Sequence, residues 1–149
     1  MNKEQEQLVA KAVKALQLQD IVLFESRLSR PNDIASEQKE FSLLVKQGVS
    51  YNVHKKEGGD LLLIKVELGV RLVDSVDDID ETKVFVEIEA DYIVQYRLLD
   101  ELDETALSCF ADYNAVHNVW PFWRQHVFDL VQRSRLPHIN IPLFYRSSE

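Results

Sequence analysis

The chain has 149 residues, with 17 basic and 25 acidic side chains that leave a formal charge of -8 at pH 7. This acidic balance opposes binding to nucleic acid or to an anionic membrane surface through the bulk electrostatic term. The length suits one domain with its own core, and a hydrophobic content of 46% excludes a disordered chain. We therefore expect a single domain over residues 1–149.

The single cysteine, Cys109, excludes an intramolecular disulfide and favours a reducing compartment. The first residues are too polar and acidic for a signal peptide, and no stretch approaches the ~18 apolar residues of a membrane span. The sequence therefore predicts a cytoplasmic protein without membrane insertion.

The chain begins with a segment of helical character. Residues 2–17 carry apolar side chains at helical spacing, and Asn2 and Gln5 are placed like a capping pair. The spacing then changes to a period of two, with many β-branched and aromatic residues, which is typical of strands. The first strand is expected at about residues 20–29, followed by a polar loop or crossover around Pro31.

Three further strands follow, joined by a turn at Gly58-Gly59-Asp60 and by the acidic run from Asp74 to Glu81. Alternation predicts that each strand buries one face and exposes the other. The connections are too short for crossover helices, so residues 20–97 form an antiparallel sheet with one face on the core. The three strands are expected at Phe41 to Val53, Leu62 to Leu72 and Val84 to Tyr96.

Helices within residues 103–135 are expected to cover the packed face of this sheet. Asp103 can cap a first helix, and Pro121 can start a second one that runs to about Ser134. The prolines of residues 136–149 predict an extended tail whose apolar side chains dock on the body. The fold class is therefore α+β: a four-stranded antiparallel meander with a crossover, packed on C-terminal helices, plus an extra N-terminal helix.

Signatures of catalysis and of metal binding are missing from the sequence. The four glycines form no phosphate-binding loop, and the four histidines lack zinc-ligand spacing and a second cysteine. Cys109 lies on an expected helix, far from any catalytic motif, which is typical of a structural thiol. Carboxylates are plentiful, so a small hydrolase stays open as the third alternative. We expect no enzymatic activity, no cofactor and no metal.

Two features differ from an ordinary globular background. The outward row of the fourth strand, from Phe85 to Ile93, combines acidic side chains with apolar anchors. It suits a basic partner or a second subunit, and an ordinary exposed face remains an equal alternative. The second feature is a group of three aromatic side chains at the start of the C-terminal helix. They form either a core wedge between helix and sheet or the wall of an aromatic groove. The three side chains are Trp120, Phe122 and Trp123.

The segment from Asn118 to Phe144 resembles the signature of SecB and SecB-like export chaperones. It contains a proline-started helix, an arginine at residue 135, a leucine-proline pair and an extended apolar tail. Residues 20–25 and 85–88 fall where that family has its sheet, so the resemblance spans roughly residues 18–144. It implies the same sheet-and-helix fold that the periodicity predicts.

The resemblance also implies a function and an assembly. Proteins of this family form a homotetramer, a dimer of dimers, that holds non-native polypeptides in apolar grooves without a nucleotide. The three aromatic side chains just named are the candidates for the groove. In SecB an acidic sheet face docks the export motor. The matching positions are Glu25, Phe85 and Glu87.

The chain departs from SecB at both ends. It carries an N-terminal helix that SecB lacks, and it stops soon after Phe144, without the C-terminal helical tail of SecB. SecB-like relatives also serve toxin-antitoxin systems. Two readings therefore stay open: a general holding chaperone, including one for protein export or translocation, and an interaction module dedicated to one partner, such as an antitoxin or a folded protein.

Overall fold

A computed structural model of the chain describes residues 1–34, 40–74 and 83–142. Most of the acidic run between the third and fourth strands, and the tail from residue 143 onward, lie outside the described residues. The described elements are α1 (Lys3–Ala15), β1 (Leu16–Ser29), β2 (Phe41–His54), β3 (Leu61–Asp74), β4 (Val84–Leu98), α2 (Glu104–Phe110), a π-helical segment (Ala111–Ala115) and α3 (Val116–Arg133).

The four strands form one sheet in the order β1-β4-β3-β2, and every neighbouring pair is antiparallel. Strands β2, β3 and β4 follow one another as a meander. Strand β1 instead pairs with β4, so the chain crosses from one edge of the sheet to the other between β1 and β2. The predicted four-stranded antiparallel sheet with a crossover is therefore confirmed.

The core lies between the inner face of the sheet and α3. The inward side chains of β3 and β4 are almost fully buried, and α3 contributes four buried apolar side chains to the same core. Complete burial of one such side chain stabilises a fold by about 1.5–3 kcal/mol. The central members of the core are Leu62, Ile64, Val66, Ile88, Val94, Val119, Trp123 and Val127.

The N-terminal helix α1 has the capping pair that the sequence predicts. The Gln5 backbone N–H donates to Asn2 Oδ1 at 2.8 Å, and the Asn2 N–H donates to Gln5 Oε1 at 3.1 Å. The helix ends at Ala15, earlier than predicted, because Leu16 is already extended and pairs with Leu98 as the first residue of β1. There is thus no loop between α1 and β1. Helix α1 packs against α2.

The C-terminal helix begins earlier than predicted, so the expectation of a start at Pro121 is wrong. Helix α3 starts at Val116, directly after the π-helical segment, and Pro121 lies inside it. A proline inside a helix leaves the carbonyl four residues before it without its usual donor. That carbonyl belongs to His117, which is exposed, so water can satisfy it. The predicted cap of α2 is confirmed, with the Ala106 N–H donating to Asp103 Oδ1 at 2.8 Å.

The outward position predicted for Phe85 is also wrong. Leu72 pairs with Val86 while Val73 pairs with Val84, so Phe85 is the extra residue of a β-bulge. Its side chain is only 4% exposed, and its ring meets that of Phe41 edge to face at 5.7 Å between centroids. The strict alternation assumed along β4 therefore fails at its first residues.

At the start of β2, side chains that are predicted to be buried are exposed. Alternation predicts that Leu43 and Val45 are buried with the other odd positions of this strand. They lie on the inner face, opposite Leu72 and Val70, yet Leu43 is 38% exposed and Val45 is 77% exposed. Helix α3 contacts the two central strands, so this stretch of the edge strand is left open to solvent.

Two features are absent from the part of the chain that the structure describes, namely a membrane-spanning helix and a cluster of metal-binding side chains. No helix there has both the length and the apolar character needed to cross a membrane. Among the same residues, no three side chains of the metal-binding types converge on one point.

Candidate functional site

An apolar groove opens where β2 leaves the cover of the helices. It contains a cavity of about 240 Å³ between the inner face of the sheet, α3 and the chain after α3. The sheet contributes Leu43 and Val45 from β2 and Leu68 and Val70 from β3. The two edge residues are exposed while the two residues from β3 are 3% exposed, so the floor is closed and one side is open.

Two of the three predicted groove aromatics do line this cavity. Trp123 is 1% exposed and closes the bottom of the groove, whereas Trp120 is half-buried at its wall. The indole Nε1 of Trp120 donates to the Pro142 carbonyl at 2.7 Å. A tryptophan with its polar edge satisfied and its ring facing a cavity offers a large apolar contact surface.

The third aromatic, Phe122, lies on a different side of α3. It is 54% exposed, and helical spacing puts it on the same side as His126, four residues later. The Nε2 atom of His126 lies 3.3 Å from Ser26 Oγ, which shows that this side of α3 faces β1. Phe122 therefore does not belong to the groove beside β2.

The chain after α3 forms the remaining wall of the groove. Ile141 and Pro142 line the cavity, and Arg124 Nε donates to the Ile141 carbonyl at 2.8 Å. The helix ends at Arg133, and Arg135 has a positive φ of 53°, which turns the chain back along α3. The expectation that the tail docks apolar side chains is confirmed for its described residues, since Ile139 and Ile141 are buried.

The outer face of the sheet carries a network of paired charges rather than bare carboxylates. Glu87, one of the predicted docking residues, forms a salt bridge with Arg71, with 3.1 Å between Arg71 Nε and Glu87 Oε2. Glu89 is bridged by Arg27 and by Lys46. These pairs cancel much of the negative field that the sequence predicts for this face.

Glu25 and Asp91 face each other on this same outer surface. They occupy paired positions on β1 and β4, and Glu25 is exposed. Burial raises the pKa of Asp91, while Lys65, whose Nζ lies 3.9 Å away, acts to lower it. Phe85 does not join them because it is buried. Of the three predicted docking residues, only Glu25 and Glu87 are at the outer surface.

The titratable groups of the described residues do not resemble a catalytic pair. Burial raises the pKa of the Cys109 thiol, and Asp112 adds to that effect, so the thiol stays protonated and weakly nucleophilic at neutral pH. Burial also raises the pKa of Tyr96 to about 12, opposed by a hydrogen bond from Asn118 Nδ2 to the Tyr96 hydroxyl at 2.7 Å. The Cys109 thiol is half-buried on α2, whereas Tyr96 is buried in the core.

A larger cavity of about 790 Å³ lies at the opposite end of the sheet, between Lys11 in the second half of α1, the ends of β2 and β4, and the loop that leads from β4 into α2. Its lining is mixed and charged, and Lys55 pairs there with Asp60 at 3.0 Å. The hydrogen bond from Lys55 lowers the pKa of Asp60. An opposite charge this close favours the ionised form of the Asp60 carboxyl.

Sequence reasoning missed Leu43, Val45 and Arg124 as groove residues. Alternation assigns the first two to the inner face, but it carries no information on whether a helix reaches that end of the strand. Arg124 looks like any helical surface cation until the chain after α3 is seen to return along the helix. No signal in the sequence identifies that return path except the proline-bounded apolar tail.

The comparisons with known proteins bear on the fold. No protein-family model and no curated protein sequence matches the chain. Among solved structures, the chain is similar to the Mycobacterium tuberculosis SecB-like chaperone Rv1957 in complex with a ChAD peptide from the HigA1 antitoxin Rv1956. The TM-score is 0.70 at 14% sequence identity, and the match covers 95% of this chain and 99% of that chain. The chain therefore has the fold of a SecB-like chaperone.

Proposed function

We propose that the protein is an ATP-independent chaperone that holds non-native polypeptides by covering their apolar segments in the groove beside β2. The observation that carries this proposal is the open cluster of Leu43, Val45 and Trp120, which exposes apolar surface at the rim of a closed apolar floor. Exposed apolar patches of this kind mark sites of interaction. The similar SecB-like chaperone binds an antitoxin peptide, which supports a polypeptide as the occupant.

The proposed mechanism needs no nucleotide and no reaction. Each Å² of client apolar surface removed from water contributes roughly 25 cal/mol. Two or three client side chains in the groove therefore supply a useful affinity and keep those side chains from aggregating with other chains. The client leaves chemically unchanged, so this proposal includes no enzymatic activity and no cofactor.

We propose that the working assembly is a homotetramer built as a dimer of dimers. Strand β1 supports one contact, since Val22, Leu23 and Phe24 at this sheet edge are 44%, 46% and 67% exposed. Such an edge favours pairing with a second strand. The exposed Phe128, which lies on another side of α3 beside the chain that follows this helix, supports a second, separate contact. A dimer of dimers requires two different self-complementary surfaces of this kind.

A dedicated interaction module is the second candidate function. It is favoured by the small cavity in the groove, about 240 Å³, which suits one or two side chains of a defined motif. The antitoxin peptide bound by the similar chaperone fits this reading as well. Competition between unrelated unfolded polypeptides would separate the two candidates: a general chaperone binds all of them with similar affinities, and a dedicated module binds one.

Docking of an export motor is a further part of the proposal that the outer sheet face supports less well. Glu25 and Glu87 remain available there, but Glu87 is paired with Arg71 and Phe85 is buried. Apolar anchors for such a contact on the same face are Ile93, which is half-buried, and Leu44, which is 45% exposed and pairs with Arg71. We propose the cytoplasm as the location, because the single cysteine suits a reducing compartment.

The proposal is tested by the fluorescence anisotropy of a labelled, permanently unfolded polypeptide titrated with the protein, with the mass in solution measured in parallel. We expect binding without ATP by a tetramer. Val45→Lys should weaken binding about tenfold, because it puts a charge at the open side of an apolar groove. The matched control is Val13→Lys, which alters an exposed valine on α1, away from the groove, and should leave affinity unchanged.

Two outcomes would contradict the proposal. A stable protein that binds no unfolded polypeptide would remove the chaperone function and leave the interaction module. Equal effects of Val45→Lys and Val13→Lys on a measurable affinity would show that binding takes place elsewhere on the molecule.

A further inference from the structure

The tail segment, defined here as residues 138–142, runs along α3 in an extended form without joining the sheet. Ile139 and Ile141 are 7% and 5% exposed, whereas the residues that alternate with them are exposed. An extended chain shows this alternation when one side of it docks on an apolar surface. The tail segment is therefore bound to its own protein in the way that an extended apolar peptide would be.

The polar contacts of the tail segment are made to its main chain. Arg124 Nε donates to the carbonyl of Ile141 at 2.8 Å, and Trp120 Nε1 donates to the carbonyl of Pro142 at 2.7 Å. Both donors belong to α3, and both acceptors are groups that every polypeptide carries. These two side chains can therefore hold any extended chain that reaches the same place.

The tail segment fits its cleft loosely. The groove cavity of about 240 Å³ separates it from Leu43 and Val45 of β2. A second cavity of about 400 Å³ lies on its other side, beside Pro121 and Phe128 of α3. Both cavities open to solvent, so an incoming chain can reach them beside the tail segment. The cleft around the tail segment has room for more chain than it holds.

The two prolines that bound the tail segment limit how it can be held. Pro137 and Pro142 have no backbone N–H, so the segment cannot form a continuous ladder of hydrogen bonds with β2. Within the described part of the chain, it is retained by one helix face, two main-chain hydrogen bonds and two isoleucine side chains. Segments held by few contacts of this kind open at lower free energy than the sheet does.

We infer that the tail segment is an intramolecular occupant of the groove, and that an incoming extended apolar polypeptide displaces it and takes over Trp120 and Arg124. This inference rests on the proposed function, because it states how the same groove is closed and opened. The apparent dissociation constant of a client then equals the intrinsic constant divided by the fraction of molecules with the tail segment released. Loosening the tail segment should therefore tighten client binding.

The first test compares Ile141→Ser with Asn140→Ser in the anisotropy titration with the labelled unfolded polypeptide. Ile141 is buried and Asn140, its neighbour in the tail segment, is exposed. Ile141→Ser should lower the apparent dissociation constant about fivefold, and Asn140→Ser should leave it within about twofold of the wild type. Equal or weaker binding by folded Ile141→Ser would overturn the inference, because the tail segment would then be a wall of the site.

A second measurement uses the unmodified protein and so does not depend on the folding of a variant. Hydrogen exchange of the backbone amides of residues 139–141 is followed with and without saturating unfolded polypeptide. Displacement predicts faster exchange in these amides when the client is bound. Unchanged or slower exchange under saturation would contradict displacement.

A third measurement separates failure of this inference from failure of the proposed function. A labelled peptide with the sequence of residues 136–142 should bind Ile141→Ser in trans and should not bind the wild type, in which the tail segment already occupies Trp120 and Arg124. If this peptide binds the variant while no unfolded polypeptide binds any form, the proposed function fails and the intramolecular occupant stands. If unfolded polypeptides bind and neither Ile141→Ser nor exchange at the tail responds, the function stands and the inference fails.

Discussion

The centre of the sheet and the start of β2 have the same alternating sequence pattern, but their inner-face side chains differ in burial. Val66, on the inner face of β3, is completely buried, whereas Val45, on the same face of β2, is 77% exposed. The difference is set by where α3 and the chain after it lie, and neither strand encodes that position. The comparison shows that alternation determines the sheet face on which a side chain lies, while the position of the helices determines whether it is buried. A binding surface arises where apolar side chains lie on the inner face but no helix covers them.

The largest expected effect comes from the aromatic pair on α3. Trp123→Ala should lower the free energy of unfolding by about 3–5 kcal/mol, because it empties a fully buried site between helix and sheet. Phe122→Ala, which changes a side chain that is 54% exposed, should cost less than about 1 kcal/mol. Urea denaturation of both variants checks this contrast. Similar losses for the two would mean that Phe122 is covered in the native assembly.

A second prediction uses the same chemical change on the two strands compared above. Val66→Ala should lower the free energy of unfolding by about 2 kcal/mol, since it removes two buried methyl groups and leaves a cavity. Val45→Ala should change it by less than about 0.5 kcal/mol. Chemical denaturation of both variants, with the m-value monitored, measures the two changes in the free energy of unfolding. A large loss for Val45→Ala would mean that another part of the chain or another subunit covers the groove.

A third prediction concerns the end of α3, which directs the chain toward the groove. Arg135 has a positive φ of 53°, and glycine adopts this conformation more easily than arginine does. Arg135→Gly should therefore stabilise the protein by about 0.5–1 kcal/mol. Arg133→Gly, inside the last turn of the helix, should destabilise it by about 1 kcal/mol. Thermal melting of the two variants should give shifts of opposite sign, and shifts of the same sign would refute the role of φ.

The smallest expected effect is a pH dependence where α3 meets β1, the edge strand opposite β2. Burial lowers the pKa of His126, and Arg133 adds to this, while Asp129 acts in the other direction. The folded state therefore binds its proton less readily than the unfolded state does, for which the pKa is about 6.5. The contribution of the neutral imidazole to stability is complete above that pH and declines as the pH falls through the lowered pKa.

Denaturation between pH 5 and pH 7.5 measures this contribution. His126→Gln should reduce the loss of stability at low pH, and His117→Gln, at an exposed position of the same helix, should not alter it. A pH profile that is identical for the wild type and His126→Gln would show that the contact with Ser26 does not distinguish the two protonation states.

The sequence predicts most of the fold and about half of the candidate site. The capping pair at Asn2 and the strand faces follow from local rules, because hydrogen-bond geometry and a period of two act over a few residues. The burial of Phe85 does not follow, since one extra residue in a strand moves a side chain to a new environment without changing composition.

The groove itself depends on contacts between residues far apart in the chain. Trp120 and Trp123 are found by their size and spacing, which mark them as important in either a core or a groove. Val45 and Ile141 meet across a cavity only because α3 stops at Arg133 and the chain turns back. Local sequence patterns do not predict that the chain turns back along α3, so this part of the site is visible only in the structure.

The π-helical segment, Ala111–Ala115, joins α2 to α3. The number of residues in a helical connection determines the direction in which the side chains of the following helix point. Before it, α2 packs against α1, and after it, α3 packs against the central strands. Each residue of an α-helix turns the chain by about 100°. Five residues at the wider π-helical spacing turn the chain about as far as four α-helical residues do, so deleting one residue from Ala111–Ala115 would restore a regular helix with Trp123 close to its present direction. A deletion within α3 before Trp123 would instead rotate that side chain out of the interior by about 100°, so chain length is constrained more tightly in α3 than in the π-helical segment.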